Sequence, residues 1–230
     1  MKTLYHGSPK IIEKPELGKG NPYNDYGVGF YCTENLELSK EWACANKNGG
    51  FSNVYTIDTK GLKIIHLSDA KFGVLNWLSV LLNNRTFRIE NQISTQAKEY
   101  LLRYFLPDIT HADVVTGYRA DDSYFSFAMD FLNNTISLRQ LERAMYLGKL
   151  GEQFMIKSQN AFERIRFIKS EPAEGRIYYK KRMKRDSEAR TLYFESEKNE
   201  APFSDDVFIV DILRQEMKES DARLQRKIST

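Results

Sequence analysis

The chain has 230 residues, 41% hydrophobic and 13% aromatic, which excludes a disordered or low-complexity protein and supplies apolar surface for a sizeable core. Its 34 basic and 31 acidic residues leave a net charge of +3, a balance that neither demands nor excludes a nucleic-acid partner. Two cysteines and three histidines, with no CxxC or HExxH spacing, provide neither a disulfide framework nor a zinc site.

Thr3 to His6 reads as a short strand, and the Gly- and Pro-rich stretch from Gly7 to Gly27 as a long loop. Gly29 to Cys32 reads as a second strand, after which Thr33 is the expected N-cap of a helix reaching about Asn46. Phe51 to Asp58 and Leu62 to Leu67 pattern as a hairpin around Lys60-Gly61. Helices are expected from Ser68 to about Asn83 and from Ser94 to Phe105, the latter stopped by Pro107. Ala112 to Tyr118 is a buried-looking strand, followed by helices over Asp122 to Asn133 and, capped by Ser137, over Ser137 to Leu147. Gln153 to Ile156 is a strand, Asn160 to Ile165 a helix or turn, and Arg166 to Ile168 a short strand. Beyond Glu171 the composition turns charged, with a basic run from Lys180 to Arg185 and a helix expected from Asp205 to Lys227.

No apolar run follows Met1-Lys2, and the longest apolar stretch, Phe72 to Leu82, falls short of a membrane span. The expectation is therefore a soluble, reduced, cytoplasmic protein without membrane contact or bound metal. Its fold class is expected to be α+β, with one mixed domain over residues 1–170 and a helical, charged C-terminal extension over 171–230.

Four segments occur in a telling order: Tyr5-His6-Gly7-Ser8; Asp25-Tyr26-Gly27 with Gly29-Phe30-Tyr31 and Thr33; Gly117 to Asp122; and Gln153-Phe154 with Ile156-Lys157-Ser158. Together they resemble the DUF3990 family, bacterial proteins similar to ADP-ribosyltransferases of the His-Tyr-Glu type, the type of diphtheria toxin and the poly-ADP-ribose polymerases. The resemblance implies a split, mixed or antiparallel sheet with surrounding helices. It also implies NAD as substrate and transfer of ADP-ribose to a macromolecular acceptor, either protein or nucleic acid. A toxin role, with a small antitoxin protein as partner, goes with the same family setting.

On these residues the resemblance implies an NAD-binding group of His6, Gly7, Ser8, Tyr26, Gly29, Tyr31, Thr33, Arg119 and Gln153. Within it His6 would hold the adenine-side ribose, Gly7 the nicotinamide amide through its backbone, and Tyr31 the nicotinamide ring by stacking. His6, Tyr31 and Gln153 form the implied catalytic set. Gln153 stands where active transferases usually carry Glu, so hydrogen bonds are kept but the charge is not. Glu152 is adjacent, but neighbours on a strand face opposite ways. Asp121 and Asp122 are further catalytic candidates, equally readable as caps of the following helix. Each residue alone also has a plain structural explanation: His6 as a strand-end histidine, Tyr31 as a core aromatic, Gly27 and Gly29 as turn residues. A non-catalytic module binding NAD or ADP-ribose on the same scaffold is the alternative. The basic run reads as a solvated helix face or, less commonly for such a run, as a phosphate-tracking surface.

Overall fold

The structure, a computed structural model, describes residues 1–89, 91–120, 122–147 and 151–224. The chain groups into two units of three segments each: Met1–His66, Ile109–Arg119 and Leu150–Arg185 in the first; Leu67–Asp108, Ala120–Lys149 and Asp186–Thr230 in the second.

The first unit carries β1 (Lys2–Ser8), β2 (Phe30–Cys32), β3 (Gly50–Ile57), β4 (Ile64–His66), β5 (Val114–Tyr118), β6 (Glu152–Ile156) and β7 (Ile165–Ala173). They form an antiparallel sheet of order β1-β3-β7 and a mixed sheet of order β2-β6-β5-β4, in which β4 and β5 run parallel. A single bridge between Tyr5 and Thr33 joins β1 to the segment after β2. The fold is thus α+β with one antiparallel and one mixed sheet. Leu4, Phe30, Cys32, Tyr55, Ile57, Val114, Phe154 and Ile156 make one apolar cluster at this junction. Burial of each such side chain contributes about 1.5–3 kcal/mol. Position 170, where the composition changes, lies within β7.

Two local expectations are corrected here. Thr33 does not cap a helix, because its backbone N–H donates to the Tyr5 carbonyl at 2.9 Å and its carbonyl accepts from Tyr5. Helix α1 (Leu36–Ala43) is capped by Asn35, whose side chain accepts from the Leu38 N–H at 3.1 Å. Nor do the two strands around Lys60-Gly61 form a hairpin. Gly61 does take a positive φ of 76°, as a tight turn requires. The edges of β3 are, however, already taken by β1 and β7, and β4 joins β5, where Ile64 and Ile65 lie beside Val114 and Val115.

The second unit is helical: α2 (Val74–Asn84), α3 (Gln92–Tyr104), α4 (Asp122–Leu132), α5 (Leu138–Ala144) and α8 (Ile209–Arg214). Its core holds Trp77, Leu78, Leu81, Phe127 and Phe131, all buried. Ser137 caps α5 as expected, in a reciprocal box with Gln140. Of the helix expected over Asp205–Lys227, whose last three residues lie outside the described ones, the described residues realise only α8, because Glu216 sits at a φ of 48° and ends it. The short helix α6 (Gln159–Phe162) belongs to the first unit, and the long α7 (Gly175–Leu192) begins there. No helix among the described residues is long and apolar enough to cross a membrane.

Candidate functional site

The long loop after β1 does not drift. Asn53, fully buried on β3, accepts from the Ile12 N–H at 3.0 Å and donates to the carbonyls of His6 and Lys10 at 3.3 Å each. The Tyr55 hydroxyl donates to the Ile12 carbonyl. These bonds pin the start of the loop at Lys10 and Ile12, and the loop forms one wall of a cleft of about 510 Å³, lined by His6, Gly29, Phe30 and Tyr31 on the strand side and by Lys10, Lys14, Lys19 and Glu16 on the loop side. Such a volume falls in the usual range for a ligand site. Three lysines against one glutamate make its loop wall basic, as an anionic ligand needs.

His6 stacks on Phe30 at 4.3 Å between ring centroids, and its Nδ1 lies 2.6 Å from the Tyr31 carbonyl. A carbonyl only accepts, so Nδ1 carries the proton. Burial lowers the His6 pKa, with the bond to Tyr31 opposing in part. A neutral imidazole so tautomerised leaves Nε2 as an acceptor, suited to a hydroxyl.

Tyr5 spends its backbone N–H and C=O on Thr33. Strand alternation sends the same groups of Gly7 to the same edge, past the last bridge between β1 and the β2 segment. The opposite surface of Gly7 is closed by α1: a Cβ there would stand 2.6 Å from Ala43 N and 2.7 Å from Trp42 Cβ. The glycine is thus fixed by helix-on-strand packing, while its backbone N–H and C=O stay directed to the edge of β1 that carries the bridge to Thr33.

Tyr31 is held at its hydroxyl, which donates to the Gly27 carbonyl at 2.7 Å and accepts from the Tyr26 N–H at 3.0 Å. Gly27 has a φ of 84°, which the tight loop demands. The rings of Tyr26 and Tyr31 stand 6.4 Å apart, tilted by 32°. Tyr26 is itself buried, and its hydroxyl donates to the Tyr118 carbonyl. It is therefore an anchor of the loop as well as a second aromatic.

Gln153 is buried on β6, with Nε2 donating to Asp25 Oδ2 at 2.8 Å and to the Tyr118 carbonyl at 3.3 Å. His6, Gly29 and Tyr31 thus share the cleft lining, and Gln153 connects to it through the loop that carries Asp25 and Tyr26. The other expected residues have local duties. Ser8 accepts from the Lys10 N–H at 3.3 Å, Thr33 accepts from the Asn35 N–H at 3.2 Å, and the Arg119 guanidinium lies 4.2 Å from the Trp42 ring centroid. Asp121 and the side chain of Asp122 lie outside the described residues. No cluster of three His, Cys, Asp or Glu side chains placed to hold a metal occurs among the described residues.

Sequence reasoning quoted Asp25 within a motif but gave it no role, and it passed over Asn53 and the lysines of the loop. Asn53 had a signal, a polar residue inside the Ser52-Asn53-Val54 strand pattern. Lys10, Lys14 and Lys19 had none, since they sit in a loop whose path depends on Asn53 and Tyr55.

A family described as "Protein of unknown function (DUF3990)" matches residues 2–167. None of the curated proteins and none of the solved structures matches the chain.

Proposed function

The chain belongs to the DUF3990 family, and with that as premise we propose that it binds NAD in the cleft beside His6 and transfers ADP-ribose to a macromolecular acceptor. The observation that carries the reading is the 2.6 Å bond from His6 Nδ1 to the Tyr31 carbonyl. It dedicates Nε2 to accepting, which is what holding a ribose hydroxyl asks for. Two further features support it: the basic loop wall would face a pyrophosphate, and the backbone edge of Gly7 offers one donor and one acceptor, the complement of a carboxamide.

In this reaction the bond between ribose C1′ and the pyridinium nitrogen breaks, its electron pair leaving with neutral nicotinamide. C1′ acquires oxocarbenium character, as in glycoside hydrolysis. A nucleophile of the acceptor then bonds to C1′ and its proton passes to solvent. The leaving group is cationic beforehand, so no general acid is needed. The chain's own contribution is to clamp the dinucleotide and present one face of the ribose.

The test is calorimetric titration with NAD, paired with chromatographic detection of nicotinamide in the presence of cell extract. Binding and release are expected, and His6→Ala should weaken binding by about tenfold or more, the value of a lost hydrogen bond to a buried site. No binding, or neither nicotinamide nor a modified macromolecule, would sink the proposal. Binding without release would favour the non-catalytic module, a reading that the full engagement of the Gln153 amide nitrogen supports. A toxin role would appear as growth arrest on expression, relieved by His6→Ala.

A further inference from the structure

Both hydrogens of the Gln153 amide are given to groups that only accept, the Asp25 carboxylate at 2.8 Å and the Tyr118 carbonyl at 3.3 Å. A carboxylate at 153 could make neither of these two bonds, since it has no hydrogen to give. The surroundings therefore demand an amide at this position. Asp25, only 3% exposed, is the carboxylate that the amide serves. It sits between Asn24, which lines the cleft, and Tyr26, whose N–H donates to the Tyr31 hydroxyl. The Tyr118 carbonyl receives the Tyr26 hydroxyl as well as the Gln153 amide, so loop, β5 and β6 close into one hydrogen-bonded unit.

We propose that Asp25 and Gln153 act as one acidic unit, with Asp25 supplying the negative charge that steadies the developing ribosyl cation and Gln153 aiming it. The inference rests on the NAD reading above. In chemical terms no bond to Asp25 forms. Its charge offsets the positive charge on C1′ while the glycosidic electron pair departs with nicotinamide. Preorganised charge of this kind is worth about 100-fold or more in turnover.

A charge swap tests it in the full chain. Asp25→Asn should lower the rate of nicotinamide release about 100-fold, with NAD affinity within a few fold of the unsubstituted protein. Gln153→Glu alone should lower the urea midpoint, because two carboxylates then share one site. Asp25→Asn combined with Gln153→Glu returns one amide and one carboxylate, and should recover most of both the midpoint and the release rate. A release rate unmoved by Asp25→Asn, or a double variant that recovers stability but not turnover, would assign Asp25 a structural duty and overturn the charge assignment. An unchanged midpoint for Gln153→Glu would overturn the pairing itself, with or without NAD. NAD binding without turnover in the unsubstituted chain would overturn the charge assignment and leave the binding reading standing. No binding at all would remove both, while the midpoints still decide the pairing.

Discussion

At the scale of single residues, His6 and Gly7 carry the sharpest consequences. Burial holds the His6 pKa below its usual 6.5 in the folded chain. Between the two values the unfolded chain binds more protons, so stability contributed by a neutral His6 is lost as pH falls through that window and levels off beneath it. His6→Gln removes the titration. The difference in urea midpoint between the two proteins, followed from roughly pH 7.5 down to pH 5 across the ordinary histidine range, should therefore change in that direction. A flat difference would mean that the imidazole is not held neutral. Gly7→Ala makes a different demand, because the added methyl meets the backbone of Ala43 and the Cβ of Trp42. Overpacking of this kind costs about 1–3 kcal/mol, and denaturant unfolding should register it. The importance of His6-Gly7 was legible as a motif. That the glycine also makes room for α1 was not, since it depends on a helix some thirty residues away.

At the scale of elements, α7 shows how a run of like charge is resolved. Its Lys181 reaches Glu37 of α1 at 2.8 Å in the open, while Arg185 pairs with Glu41, whose side chain is 5% exposed. Burial raises the Glu41 pKa, opposed chiefly by Arg185. Two cations of the basic run are thus turned to α1, a use that a run of charges alone does not announce. Lys181→Ala should cost less than about 1 kcal/mol, the ordinary worth of an exposed pair. Arg185→Ala strands a buried carboxylate and should cost more, up to roughly 3–5 kcal/mol at neutral pH. A raised Glu41 pKa means that the folded chain keeps this proton where the unfolded chain has lost it. Acidifying toward that pKa should then shrink the Arg185→Ala penalty, and equal midpoints for the two variants would refute the distinction. Element types were readable from pattern, because apolar spacing and caps such as Ser137 are local. Partners were less so: β3 and β4 looked like a hairpin, yet sheet membership was decided by Val114 and Val115, some fifty residues on. Likewise α8 stops early because of the backbone at Glu216, which no propensity marks.

At the scale of the whole molecule, the relevant fact is how often the chain changes units. Its segments alternate between the two, passing from one to the other at His66–Leu67, Asp108–Ile109, Arg119–Ala120, Lys149–Leu150 and Arg185–Asp186. Neither unit is a continuous stretch, so folding one alone would leave the other's segments as unordered loops whose ends it must close. Each closure carries an entropic cost, one that grows only slowly with loop length, and ordering the loop into the second unit offsets it. One cooperative transition is therefore expected. The two tryptophans make this measurable, because Trp42 belongs to the first unit and Trp77, fully buried, to the second. Trp77→Phe leaves fluorescence reporting on the first unit, and Trp42→Phe leaves it reporting on the second. Within each variant, urea midpoints read by fluorescence and by far-ultraviolet circular dichroism should coincide, as two-state unfolding requires. If the fluorescence of one variant moves well before its dichroism, that unit unfolds on its own. The alternation of segments would then not bind the two units into a single folding event.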